Sequence, residues 1–429
     1  MSTDPLWTTR RAQALAAGQQ AGGLVRIGRE ALGWRQADLG KRLRCSASTV
    51  SRLEGGRHGD LPLLKAAAVE VGVPSELLAA SLGLRAPTPP TVAVDAPSVR
   101  EDPMLRRTVI AAAGLAAPLS LLGGLETALA TTPDPSGSPL PLDARLASAR
   151  ALFDASRHTD LLQALPGLLG DAHHAAAAAR TDLGYARLST AYTLASTLLN
   201  KLGHYGPSRL TADRASTYAQ VSGSPLAAAA AARELAAVLR HQGQEAAAQR
   251  HITAAVSGIE TTGLATDAQA SAYAQMLAST AYTAAIAGDR DQALTMIREA
   301  GRAARDLPHQ PPPGRLFPIT PAAIDLYAVG VHWALGDAGH ALEAGRNLHA
   351  GQFATPERKG RMHTDLARAW WQRGNPEQTA AELLKAARVS RSEVTDRPPI
   401  WQIVTELRTR NPRTAGVREL GALAGAASS

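Results

Sequence analysis

Several residue types that define whole classes of protein are scarce or missing here. Among 429 residues there is one cysteine, Cys45, so no intrachain disulfide forms, paired-cysteine metal sites are excluded, and a reducing compartment fits. Aromatic residues make up only 4%. Lysine is nearly absent, since 40 of the 45 basic residues are arginine. Met1–Gln20 is polar and charged, unlike a secretory signal. There is no phosphate-binding loop and no nucleophile elbow. His173 and His174 are adjacent, so on a helix they diverge by about 100° and make no i, i+4 metal pair. No enzyme activity, metal or cofactor is expected.

What is present points to helices. Hydrophobic residues make up 45% of the chain, and alanine, the strongest helix former, recurs in runs such as Ala227–Ala232. An all-α fold follows, and the length calls for at least two domains. The net charge of +8 permits a nucleic-acid partner without requiring one, because arginine bias also follows from GC-rich coding.

Three breaks organise the chain. Pro87, Pro89, Pro90, Pro97 and Pro103 mark residues 85–103 as an extended linker. Thr131–Pro141 is a second break, and Leu307–Pro321 a long loop between helices. The expected layout is an N-terminal domain over 1–84, the linker over 85–103, an apolar connecting helix segment over 104–142, and a large helical domain over 143–425. Within the connecting segment, Arg106 and Arg107 precede an apolar stretch that ends in Ala128-Leu129-Ala130, a pattern like a twin-arginine export signal. Pro118, Ser120 and Glu126 interrupt it. A helix buried between domains or in a dimer interface is expected, and no membrane span.

The large domain carries a repeat. Gly203-His204, Gly243-Gln244, Gly288-Asp289, Gly336-Asp337 and Gly374-Asn375 recur at spacings of 40, 45, 48 and 38 residues. Five residues past each glycine stands a small residue: Ser208, Ala248, Ala293, Ala341 and Thr379. Glycine ends one helix in a left-handed turn, and the small residue lets the next helix pack back on it. The pattern resembles the tetratricopeptide repeat, with a period longer than that family's 34 residues, and implies an α-solenoid.

The N-terminal region carries the chemistry. Between Gly23 and Leu82, periodicity gives five short helices with apolar positions Leu24, Ile27 and Ala31, then Leu39 and Leu43, Val50 and Leu53, Leu64 to Val71, and Leu77 to Leu82. Ser46, Asp60 and Ser75 are candidate N-caps. Gln36-Ala37-Asp38-Leu39-Gly40, Ser46 to Glu54 with Gly55-Gly56-Arg57 after it, and Val71-Gly72-Val73-Pro74 resemble the phage-repressor-type (XRE) helix-turn-helix family over about sixty residues. The family implies a sequence-specific transcriptional regulator on a double-stranded DNA operator, cytoplasmic, with the second paired helix in the major groove. Base contacts would come from Ala47, Ser48, Thr49, Ser51 and Arg52, with Arg52 able to grip a guanine. Phosphate contacts would come from Arg35, Gln36, Arg44, Arg57 and His58. Gly23–Asp60 holds eight Lys/Arg against four Asp/Glu. Two residues depart from the family: Arg35 stands where Ser or Thr caps the second helix, a cap worth roughly 1 kcal/mol, and Arg44 replaces a turn glycine.

The joint architecture resembles the peptide-sensing RRNPP regulators of quorum sensing and a broad set of actinobacterial XRE regulators. The resemblance implies a homodimer, which such readers use to engage two half-sites, and a peptide or small-molecule effector. Candidate groove residues on the first helices of the repeats are Asn200, Arg240, Tyr282, His332, Trp333, Trp370 and Trp371. Asparagines that would grip a peptide backbone are few. The competing expectation is a protein-interaction scaffold whose small domain has only weak DNA affinity.

Overall fold

The computed structural model describes residues 6, 7, 9–17, 20–43, 45–55, 61–74, 77, 78, 81, 119–312 and 314–425. Among them there are helices and connecting segments and no strand. They fall into two compact units, one within residues 1–100 and one within 101–429. Arg44, Arg57 and His58, the candidate caps Asp60 and Ser75, the 85–103 linker and the twin-arginine pair lie outside the described residues.

The first unit contains α1 (Arg10–Ala17), α2 (Ala21–Ala31), α3 (Gln36–Arg42), α4 (Ala47–Glu54) and α5 (Leu61–Glu70). Leu24, Ile27, Leu39, Val50, Leu53, Leu64 and Val71 are all buried, together with Val25. Ala31 is not part of this core. It is exposed at the last position of α2. Trp7, Ala12 and Ala16 are buried in the same core, so residues before the motif contribute more than their polarity implies. At Gly22 an added Cβ would stand 2.2 Å from the Leu53 carbonyl oxygen, so α2 crosses α4 at a distance only glycine permits.

The second unit begins at α6 (Leu119–Ala130), the apolar part of the connecting segment. Its Leu122, Leu125 and Leu129 bury into a core shared with Phe153 of α7 (Leu142–Asp154) and with α8 (His158–Ala179). The helix is therefore a packing element of its own unit. Among the described residues no helix is long and apolar enough to cross a membrane.

Helix pairs follow: α9 (Asp182–Lys201) with α10 (Tyr205–Val221), α11 (Pro225–His241) with α12 (Glu245–Glu260), α13 (Asp267–Ile286) with α14 (Arg290–Ala303), α15 (Pro321–Ala334) with α16 (Ala338–Ala344), and α17 (Pro356–Gln372) with α18 (Pro376–Val389). The five repeat glycines have φ between 68° and 82°, and each turn carries the same bond, from the amide after the glycine back to the sixth residue of the reversal. These bonds measure 2.8–3.0 Å, from His204 N to Leu199 O through Asn375 N to Trp370 O. That is the Schellman reversal. At Gly288, the Asp289 carboxylate then accepts from Gln292 N at 3.0 Å and caps the next helix. Asp337 and Asn375 repeat the device, whereas His204 and Gln244 make no side-chain cap. Ser208, Ala248, Ala293, Ala341 and Thr379 are each fully buried, one turn into the second helix where it meets the first. The first helices of successive pairs pack side by side. Three of them start with a Ser or Thr cap followed by proline, at Ser224-Pro225, Thr320-Pro321 and Thr355-Pro356, because proline is preset for the first helical position.

The last helices, α19 (Ser392–Thr395), α20 (Pro398–Arg410) and α21 (Val417–Gly425), pack beside α18. The segment between α18 and α20 also returns to the start of the unit. His158 Nδ1 lies 2.9 Å from Asp396 Oδ2, and Ser392 Oγ donates to the Ser156 carbonyl at 3.1 Å. Lys201 pairs with Glu357 at 2.6 Å and with Glu393. Residues about 240 positions apart in the chain therefore meet, and the row of helix pairs closes into a ring.

Candidate functional site

Two places in the structure combine fixed geometry with exposed or accessible polar chemistry. The first is α4. Its N-terminus is capped by Ser46, whose hydroxyl accepts from Thr49 N at 3.2 Å and lies 2.8 and 2.9 Å from the Ser48 and Thr49 hydroxyls. Its C-terminal Glu54 grips Arg29 of α2 with both oxygens, at 2.5 and 3.0 Å. The Arg29 guanidinium also donates to the Trp34 carbonyl at 2.7 Å, and the Gln36 amide donates to Glu54 at 2.9 Å. With side chains 9% and 4% exposed, Arg29 and Glu54 form a desolvated pair, and Glu54 raises the Arg29 pKa through its hydrogen bond. One carboxylate thus ties α4 to α2 and to the start of α3.

The predicted reading face divides accordingly. Ala47, Ser48 and Ser51 are exposed on α4. Thr49 is half-buried and turned onto the cap. Arg52 lies on α4, with its side chain outside the described residues. Arg35 is exposed at the N-cap of α3 and makes no side-chain cap. The Asp38 carboxylate accepts from Arg35 N at 2.8 Å, the half of a capping box that the third helical residue supplies, while the bond from a Ser or Thr hydroxyl to the Asp38 amide is absent. Gln36 is half-buried, with its amide committed to Glu54.

The second place is a cavity of about 230 Å³ inside the helical ring. Asn200, Arg240 and Tyr282 all line it. His332, Trp333, Trp370 and Trp371 do not. His332 stacks with His340 of α16 at 5.5 Å, Trp333 lies beneath the Arg368 guanidinium at 3.3 Å, and Trp371 packs against the C-terminal core.

Sequence reasoning missed most of the lining. On α17, Arg358, Arg361, Asp365 and Arg368 fall at intervals of three and four, one helical face. Such a stripe usually reads as a solvated surface, and here it faces the cavity. Asp365 is shared: Arg361 donates to it at 2.7 Å, Arg368 at 3.4 Å, and Arg397 stands 3.9 Å away. Glu393, fully buried, is shared by Lys201 and Arg397. Among the described residues Arg240 has no carboxylate at ion-pairing distance, although Glu234 acts on it electrostatically. The Arg240 guanidinium donates to Thr283 Oγ1 at 2.8 Å and lies over the Tyr282 ring at 5.3 Å.

Electrostatics inside the ring are positive. Burial pushes tyrosine hydroxyls up, yet at Tyr282 the neighbouring Arg368, Arg361 and Arg240 outweigh it and hold the group below its ordinary value. Arg233, Arg358 and Arg361 do the same at Tyr327. His241 is pushed down to about 4 by burial and by Arg240, Arg361, Arg368 and Arg397, so it is neutral at pH 7. Among the described residues no cluster of three or more His, Cys, Asp or Glu has the geometry to hold a metal ion.

Residues 20–80 match a helix-turn-helix domain family, which supports a DNA-binding regulator. No curated protein matches the chain. A crystal structure of BtubC (BKLC) from P. vanneervenii is 17% identical, covering 58% of this chain and 91% of that one at a TM-score of 0.35. That score does not establish a common fold.

Proposed function

We propose that this protein is a sequence-specific transcriptional regulator of the XRE type, acting as a homodimer, with a tetratricopeptide-like sensor unit. The observation that carries the reading is the mounting of α4 within a matched helix-turn-helix domain. The helix is capped at one end and clamped at the other by Glu54, while Ala47, Ser48 and Ser51 are exposed on its surface. A rigid helix with short polar side chains near its N-terminus suits entry into a major groove and hydrogen bonding to base edges. Arg52, one turn further on, supplies the guanidinium fork for a guanine. Two copies spaced by the dimer would read half-sites about one helical turn apart.

The test is selection of duplexes from a random pool, followed by titration of selected and scrambled duplexes over a salt series. Wild type binds the selected duplex far more tightly, with affinity falling steeply as salt rises. Arg52→Ala loses about 1–3 kcal/mol on the selected duplex, roughly ten- to a hundredfold, and little on the scrambled one. Equal binding to both duplexes by wild type would favour a protein-interaction scaffold instead.

A further inference from the structure

We propose that the interior of the helical ring is a binding site for a small organic anion carrying two or more negative charges. The inference concerns the second unit alone and stands whether or not α4 reads DNA.

Charge balance is the first argument. Eight cationic side chains line the cavity. The carboxylates within reach are Asp154, Glu234, Glu357, Asp365 and Glu393, which leaves a surplus of three positive charges. Lys201, Arg368 and Arg397 are about nine-tenths buried, and each uncompensated buried charge costs several kcal/mol. Arg150, Arg358 and Arg361 keep about a third of their side chains exposed and are open to an entering ligand. Three carboxylates are already divided among two or three cations each. An anion entering the ring would meet guanidinium groups whose planar forks match carboxylate and phosphate oxygens.

Unsatisfied groups are the second argument. Asn200 Oδ1 and Arg233 Nε are buried with no hydrogen-bond partner, and both residues line the cavity. Buried polar atoms ordinarily find partners, so an occupant that offers both donors and acceptors completes the site.

Size and shape are the third. At about 230 Å³ the space lies below the roughly 300–1,000 Å³ of pockets for drug-sized ligands, which favours a metabolite such as a phosphate ester or a di- or tricarboxylate over a peptide. The aromatic rings of Tyr205, Tyr282 and Tyr327 border the same space and provide faces for the ligand's carbon skeleton. The ring is closed by contacts between residues 156–158 and 392–396, and the lining draws on segments from Arg150 to Pro399.

The full-length protein is titrated with inorganic pyrophosphate, and separately with citrate, by isothermal calorimetry at low ionic strength. At least one of the two binds at one saturable site per chain and raises the unfolding temperature of the helical unit. Arg240→Gln, which breaks no carboxylate pair, weakens that binding at least tenfold while leaving unfolding without anion within a few degrees of wild type. Should R240Q itself unfold early, Arg368→Gln on another helix replaces it under the same criterion. Absence of saturable binding by either anion, or binding that R240Q leaves unchanged, overturns the proposal. So does native mass spectrometry of the purified protein that finds a peptide held in the ring.

Discussion

Glu54→Ala unfolds or severely weakens the DNA-reading unit while leaving the helical ring intact. The carboxylate is almost fully buried and holds Arg29 through two bonds and Gln36 through a third. Removing it leaves the mostly buried Arg29 guanidinium with only the Trp34 carbonyl and the more distant, exposed Glu30 carboxylate at 3.7 Å. Breaking one partner of a buried ion pair costs about 3–5 kcal/mol, and a domain of this size has only about 5–15 kcal/mol in total. The unfolding temperature of the first unit should drop by roughly 15–30 °C, and duplex binding should vanish at temperatures where wild type binds. Differential scanning calorimetry on full-length protein checks this, because two units give separable transitions. The companion Arg29→Met/Glu54→Leu removes both charges together and should recover most of the loss, since an apolar pair in place of a buried ion pair is often neutral. Recovery of stability in the double variant separates a stranded charge from a packing defect.

Glu393→Ala acts on the other unit with the opposite signature. Its side chain is fully buried between Lys201 and Arg397, at the point where the end of the chain returns to α9. Lys201 keeps Glu357 at 2.6 Å, but Arg397 retains only Asp365 at 3.9 Å and the Thr364 hydroxyl at 2.6 Å. About 3–5 kcal/mol is lost, concentrated in the closure of the ring. Hydrogen exchange should therefore accelerate in residues 392–410 and in α7, with the first unit unchanged. The two variants should combine additively, as changes in independent units do. Uniform exchange across the helical unit in E393A would mean that the closure is not a locus of its own.

How far the sequence reaches can be seen in particular residues. Gly288 and its four counterparts were legible because their role is local: a left-handed residue, a six-residue reversal bond and a cap all lie within one turn. Ser46 was legible for the same reason. Arg35 shows the limit of single-position reasoning, since the cap it lacks is accompanied by the reciprocal bond from its own amide to Asp38 three residues on. Trp7 was missed because nothing in its polar surroundings signals burial. The cavity was missed almost entirely. The charges at 358, 361, 365 and 368 follow the period of a solvated face, and only contacts such as His158 with Asp396, 238 residues apart, turn that face inward. Of seven predicted groove residues the structure brings three together, because helix membership could be read from spacing but the helix face could not.

Photo-crosslinking to a selected duplex tests the central claim most directly, with the crosslinker attached through cysteine at position 51 in one protein and at position 221 in another, and Cys45 replaced by alanine in both. Ser51 is exposed on α4, and Val221 is exposed on the helical unit. Abundant adducts from position 51, mapped to bases within each half-site, with almost none from position 221, are the expected result. Equal yields from the two positions, or adducts from position 221 alone, would contradict the assignment of α4 as the element that reads DNA.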